Sequence, residues 1–147
     1  MNKRFQTFTV LINRISRNIR KIKIQEMAEY NLRSAHISCL YYLFSSEGLT
    51  ATELCELCEE DKATISRAVD YLETNGYLAG DPTAGKRYKA PLALTQKGRE
   101  VGCKISRKID AVLTDLNHSL SESDRMSFYD SLSIISNSLE QICNQKG

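Results

Sequence analysis

Long apolar runs are missing from this sequence. The longest is the six residues from Cys39 to Phe44, far short of the roughly 20 that a membrane-spanning helix needs. Charge of a single sign is also missing in bulk: the net charge is +2, and no strongly basic tail is present to coat nucleic acid indiscriminately. The charge is unevenly spread, with seven Lys/Arg against two Glu over residues 1–31, eight against ten acids over 32–102, and five against six over 103–147. Any contact with nucleic acid must therefore come from a few placed cations. Histidine is confined to His36 and His118, far apart in sequence, so a Cys/His metal site has little material and no metal or cofactor is expected. The five cysteines are an odd number, and in a cytosolic chain they do not suggest a disulfide framework. Met1-Asn2-Lys3-Arg4 begins basic, but no apolar stretch or small-residue cleavage site follows, so no signal peptide is expected and the expected location is cytoplasmic. No Gly-rich phosphate loop, H-E-x-x-H or nucleophile motif occurs, and no catalytic residue is assigned.

What the chain does hold is helical periodicity. Its 147 residues are one domain's worth, 41% apolar and 26% charged, the balance of a soluble globular protein. Phe5, Phe8, Ile12, Ile15, Ile19 and Ile22 recur every three or four residues and predict an amphipathic helix, with Arg14, Arg17 and Lys21 on a solvated side. A second helix, capped by Asn31 or Ser34, carries Ile37, Leu40, Tyr41 and Phe44 and stops near Gly48. Thr50-Ala51-Thr52-Glu53 is a capping box opening a short helix with Leu54, Leu57 and Cys58 inward. Asp61 caps the next helix, which ends at Asn75-Gly76. The period then changes. Tyr77-Leu78-Ala79 predicts a short strand, residues 81–85 a turn-rich loop, and Tyr88, Ala90, Leu92 and Leu94 a returning strand that Pro91 pushes to an edge. Thr95 caps a long helix with the stripe Val101, Ile105, Ile109, Val112 and Leu116. Ser121 opens a last one with Tyr129, Leu132, Ile135, Leu139 and Ile142.

Two short helices joined by a tight turn and followed by a hairpin make a winged helix-turn-helix, whose second helix can enter the major groove. Placed at about 100° per residue, Thr64, Ile65, Ala68, Val69 and Leu72 fall on an inner arc. Lys62, Ala63, Ser66, Arg67 and Asp70 fall on the opposite one. That outer face is short-chained, with two cations near the helix start, and can approach base edges while its amides and Lys62 meet phosphate.

Leu49-Thr50-Ala51-Thr52-Glu53-Leu54, Asp61 to Arg67, Leu72-Glu73-Thr74-Asn75-Gly76-Tyr77-Leu78 and Leu92 to Glu100 resemble, in order and spacing, the MarR family of winged helix-turn-helix regulators. The resemblance covers the whole chain, and residues 49–100 carry its specificity. It implies a mainly α fold with a small β-hairpin wing: a DNA-binding part over residues 32–102 and a helical dimerisation part over 1–31 and 103–147. It implies a homodimer on a pseudo-palindromic operator in double-stranded DNA, most often as a repressor released by a small aromatic or anionic effector. Carried over, Lys62, Thr64, Ser66 and Arg67 serve the major groove, with Ala63 on the same face. Lys86 and Arg87 are the wing contacts, and Thr50 and Thr52 meet phosphate. His36, early in the second helix, is the one candidate for the effector crevice. The chain departs from the family at Glu59-Glu60, where a Gly and a buried aliphatic residue are usual, so a more open turn is expected. It departs again at Asp81-Pro82-Thr83, where the wing usually holds Asp-x-Arg.

Cys55-Glu56-Leu57-Cys58 is a lone C-x-x-C with neither a second pair to complete a zinc site nor a strand before it, and is read as core filler. Oxidant-sensing relatives use a cysteine in the first helix, and this first helix has none. The rival readings are a thiol- or metal-responsive regulator and a winged helix that binds protein. Cations on both the recognition helix and the wing disfavour the second.

Overall fold

The structure, a computed structural model, describes residues 3–80 and 90–146. The elements run α1 (Arg4–Glu26), a single 3-10 turn (Ala28–Tyr30), α2 (Ser34–Ser45), α3 (Ala51–Cys58) and α4 (Lys62–Thr74). After these come β1 (Leu78–Ala79), β2 (Ala93–Leu94), α5 (Gln96–Asn117) and α6 (Glu122–Lys146). The two strands pair antiparallel, with Leu78 opposite Leu94 and Ala79 opposite Ala93. This is the mainly helical winged architecture expected from the sequence. No helix among the described residues is long and apolar enough to cross a membrane.

The chain divides into two compact units, residues 1–108 and 109–147. In the first, α2 packs against α1, α3 and α4, and α4 also packs on β1. The centre is Ile37, Leu40, Leu54, Ile65, Val69 and Leu72, each nearly inaccessible to solvent. The polar frame follows from the capping residues. Thr50 Oγ1 accepts the Glu53 N–H (3.2 Å) while the Glu53 carboxylate accepts the Thr50 N–H (2.8 Å). Asp61 accepts the Thr64 N–H at 2.7 Å, and Ser121 Oγ caps α6 through the Asp124 N–H at 3.1 Å. In the second unit α6 buries none of its residues; Tyr129, Ile135, Leu139 and Ile142 all stand exposed.

Several expectations are corrected. Neither Asn31 nor Ser34 caps α2: Asn31 takes a left-handed conformation after the 3-10 turn, and the N-cap position falls to Arg33. Leu57, expected inside, is 43% exposed, and Cys55 and Cys58 are half-buried instead of filling the core. The returning strand is only Ala93–Leu94. Pro91 has no N–H to give, and the Leu92 N–H bonds the Leu49 carbonyl at 2.8 Å, so that stretch is tied to the loop before α3 and not to a ladder. Tyr88 lies outside the described residues.

Three backbone positions set tolerances. At Gly98 a Cβ would collide with the Tyr77 carbonyl oxygen, and at Gly102 it would meet the Phe44 Cβ at 2.9 Å. These glycines, one turn apart, let α5 lie against the strand entry and α2. Glu59 ends α3 at φ 54°, a left-handed conformation that costs a side-chain-bearing residue about 1–2 kcal/mol. It is exposed, as is Glu60, so the turn takes two acids without burying a charge. Gly98→Ala should destabilise the fold by about 1–3 kcal/mol through overpacking. Glu59→Gly should stabilise it by about 0.5–1 kcal/mol, net of glycine's own entropy. Urea denaturation of both variants checks the opposite signs.

Candidate functional site

Because Ile65, Ala68, Val69 and Leu72 are all buried, α4 has no rotational freedom and its other face is fixed outward. Lys62, Ala63 and Arg67 are exposed and Ser66 is half-exposed, as the arc assignment requires. Asp61 holds the start of this face. The Thr64 N–H, then the Thr64 hydroxyl, keep its carboxyl below the usual carboxylate range, and the Arg67 guanidinium adds to the effect. Thr64 is half-buried on the flank, and its Oγ1 accepts from Arg67 Nη2 at 3.4 Å, which orients the guanidinium along the helix. At the start of α3, Thr50 is half-buried and Thr52 exposed. The Thr50 oxygen already accepts from Glu53, which leaves the hydroxyl proton for an outside acceptor. The Glu53 carboxylate beside it is the opposing charge. Lys86 and Arg87 lie outside the described residues.

The structure adds a feature that the sequence reading caught only at His36. An open crevice of about 640 Å³ runs between Ile24, Arg33 and His36 on one side and Thr64, Arg67 and Tyr71 on the other. The His36 and Tyr71 rings stack in parallel, centroids 4.2 Å apart and 14° between planes. His36 Nδ1 accepts the Arg33 backbone N–H at 3.1 Å, which leaves the ring proton on Nε2 in the neutral form. Burial, and then the Arg33 charge, hold the His36 pKa below its ordinary value. The result is an apolar floor with a stacked neutral ring pair and guanidinium groups of Arg33 and Arg67, suited to a flat molecule bearing an anionic group. Arg33 and Tyr71 were missed in the sequence. The signal was the row Thr64, Arg67, Ala68, Tyr71 at helical spacing along the edge between the two arcs.

The depressed His36 pKa has a consequence for stability. Below about pH 6.5 the unfolded chain takes up this proton more readily than the folded one, so the group's contribution falls on acidification through that value. His36→Asn keeps an acceptor for the Arg33 N–H and removes the titration. Thermal melts between pH 7.5 and 5.5 should show the wild type losing stability more steeply than the variant. Equal slopes would place the acid sensitivity elsewhere.

Comparison with known proteins agrees with this geometry. Residues 30–87 match the model of the MarR family. No curated protein matches by sequence. Among solved structures, a MarR family regulator from Neisseria meningitidis is similar over all of both chains, with TM-score 0.82 and 17% identity. The S. aureus MepR–DNA complex is similar at TM-score 0.78 and 19% identity, over 90% of this chain and 97% of that one. The Staphylococcus aureus MarR in complex with salicylate and kanamycin is similar at 0.78 and 16%, over 92% of each. At such identities these structures speak for the fold alone, and the sequence match is confined to the segment that builds α2 to α4 and the strand after them. The chain therefore has the winged helix-turn-helix fold of the MarR regulators to which it is similar, and its residues 30–87 match the MarR family model.

Proposed function

We propose that the protein is a homodimeric, sequence-specific regulator of transcription that binds double-stranded DNA and acts as a repressor. The carrying observation is the outward face of α4: short side chains, Lys62 and Arg67 exposed, and a capped, immobile helix behind them. Such a face admits close approach to base edges, and a helix-turn-helix structure related in fold has been solved with DNA bound. Residues 32–102 form the DNA-binding part, with Thr50, Thr52, Lys62, Ala63, Thr64, Ser66 and Arg67 at the groove and Lys86 and Arg87 on the wing.

Residues 1–31 and 103–147 form the dimerisation part. The support is the apolar stripe left uncovered on each terminal helix: Ile12, Ile15 and Ile19 on α1, and Ile135, Leu139 and Ile142 on α6, all between 38% and 49% exposed except Leu139 at 50%. A second copy that covers these stripes would bury roughly 2,000 Å² or more. The protein should sediment as a dimer at micromolar concentration, and a folded monomer there would refute this part.

The effector reading follows from the crevice. A small aromatic anion stacked near His36 and Tyr71 draws on Arg67, which the DNA face also needs, so ligand and operator compete for one guanidinium. A fold relative has been solved with salicylate, a molecule of this class.

Arg67→Ala should cost about 1–3 kcal/mol on the matched operator and erase discrimination at one base pair per half-site. Lys62→Ala should weaken matched and mismatched duplexes alike and flatten the salt dependence by about one unit per phosphate lost. Binding titrations on both duplexes at several salt concentrations separate the two. Full affinity and discrimination in Arg67→Ala would end the assignment of this face.

A further inference from the structure

Among the described residues two lysines are half-buried, Lys23 on α1 and Lys108 on α5, and their surroundings differ. Lys108 has anionic company. Its Nζ donates to the Glu26 carbonyl and lies 3.9 Å from the Glu26 carboxylate and 4.0 Å from that of Glu29. Lys23 lacks such company. Its Nζ donates to Ser38 Oγ at 2.9 Å, and no carboxylate of the described residues forms an ion pair with it. Ser38 is the buried polar residue of α2, only 8% exposed. Because α1 packs on α2, the amine is held in the seam between the two helices by a neutral hydroxyl. Partial burial without a counter-ion penalises the ammonium form and spares the free amine.

We propose that Lys23 is a covalent capture site for small aldehydes, whose carbonyl carbon its amine attacks in the seam between α1 and α2. The nitrogen lone pair adds to the carbonyl carbon, one amine proton passes to the oxygen, and a carbinolamine forms. Its hydroxyl then leaves as water with the second amine proton, and an imine joins Lys23 to the aldehyde. One amine and one aldehyde give one imine and one water, with no oxidant or reductant. Ser38 suits both stages. Its oxygen accepts from the ammonium at rest, and its O–H can donate to the carbinolamine oxygen and afterwards to the imine nitrogen. The half-buried seat favours a small, unhindered carbonyl compound, and Arg20, exposed one turn earlier on α1, disfavours a cationic one.

The charges around Lys23 agree with this geometry. Burial is the largest influence and lowers its pKa; Arg20 lowers it further, while Cys58 at the end of α3 and Glu60 in the turn after it act the other way. Desolvated lysines of this kind form Schiff bases near neutral pH. Lys104 of α5 is the natural reference. It is exposed, donates to the Tyr30 hydroxyl at 2.8 Å, and has its pKa raised by that hydrogen bond.

The test is reductive trapping on the full-length protein. Propanal and cyanoborohydride are added at pH 7 for a short time, and the propyl groups at each lysine are then counted by digestion and mass spectrometry. Lys23 should be labelled about tenfold faster than Lys104 and Lys108, and its labelling should persist to lower pH than theirs. In concentrated urea the preference should vanish, because it belongs to the folded seat and not to the local sequence. Labelling of Lys23 no faster than that of Lys108, or a preference for Lys23 that survives in urea, would overturn the proposal.

Discussion

The burial of one face of α4 against α2 and α3 is the constraint on which everything else rests. Ile65, Val69 and Leu72 are each removed almost entirely from water, at about 1.5–3 kcal/mol per side chain. A helix of 13 residues would be marginal alone; these contacts make it permanent and fix its rotation. From that rotation follow the outward placement of Lys62 and Arg67 and the flank position of Thr64 and Tyr71. The meeting of Tyr71 with His36 follows as well. The outward face of α4 and the crevice are two edges of one packed block.

The parts of the fold legible in the sequence were those that local rules control. The Thr50 capping box and the Asp61, Thr95 and Ser121 caps depend on neighbours within one or two turns, and each stands where the spacing put it. The two arcs of α4 hold for most of their residues, but Asp70, placed on the outer arc, is half-buried with one carboxylate oxygen out of solvent, and Thr64, placed on the inner arc, stands on the flank. The errors arose where distant chain segments intervene. Leu57 has the period of an inner residue, yet its side chain is 43% exposed. The strand around Pro91 was shortened because Leu49, 43 positions away, takes the Leu92 N–H. Cys55 and Cys58 were judged as a pair with each other, the only pairing visible along a helix. In the structure both are half-buried. Arg33 and Tyr71 were missed because their joint relation to His36 exists only after folding.

The glycines of α5 illustrate a further limit. Helix propensity alone gives no reason for glycine at positions 98 and 102. In the structure they are sites of contact: the helix surface is cut away where the Tyr77 backbone and the Phe44 side chain come against it. Lys97, between them and the end of α4, donates to the Asn75 carbonyl at 2.8 Å and lies over the Tyr77 ring. The loop from α4 into the strand is thereby held from the side of α5.

Glu59, Glu60 and Asp61 are three consecutive exposed acids at the turn that mounts α4, and Glu53 adds a fourth carboxylate at the start of α3. For a surface that meets a polyanion, this collar is repulsive at the moment of first encounter, before any base edge is within reach. If the protein binds duplex DNA as proposed, the effect would fall on the search for a site: stretches that offer only phosphates would be released sooner, and a site whose bases engage Arg67 would gain contacts that the collar does not oppose. The acids would then sharpen the contrast between one sequence and the rest by weakening the background, without touching a base.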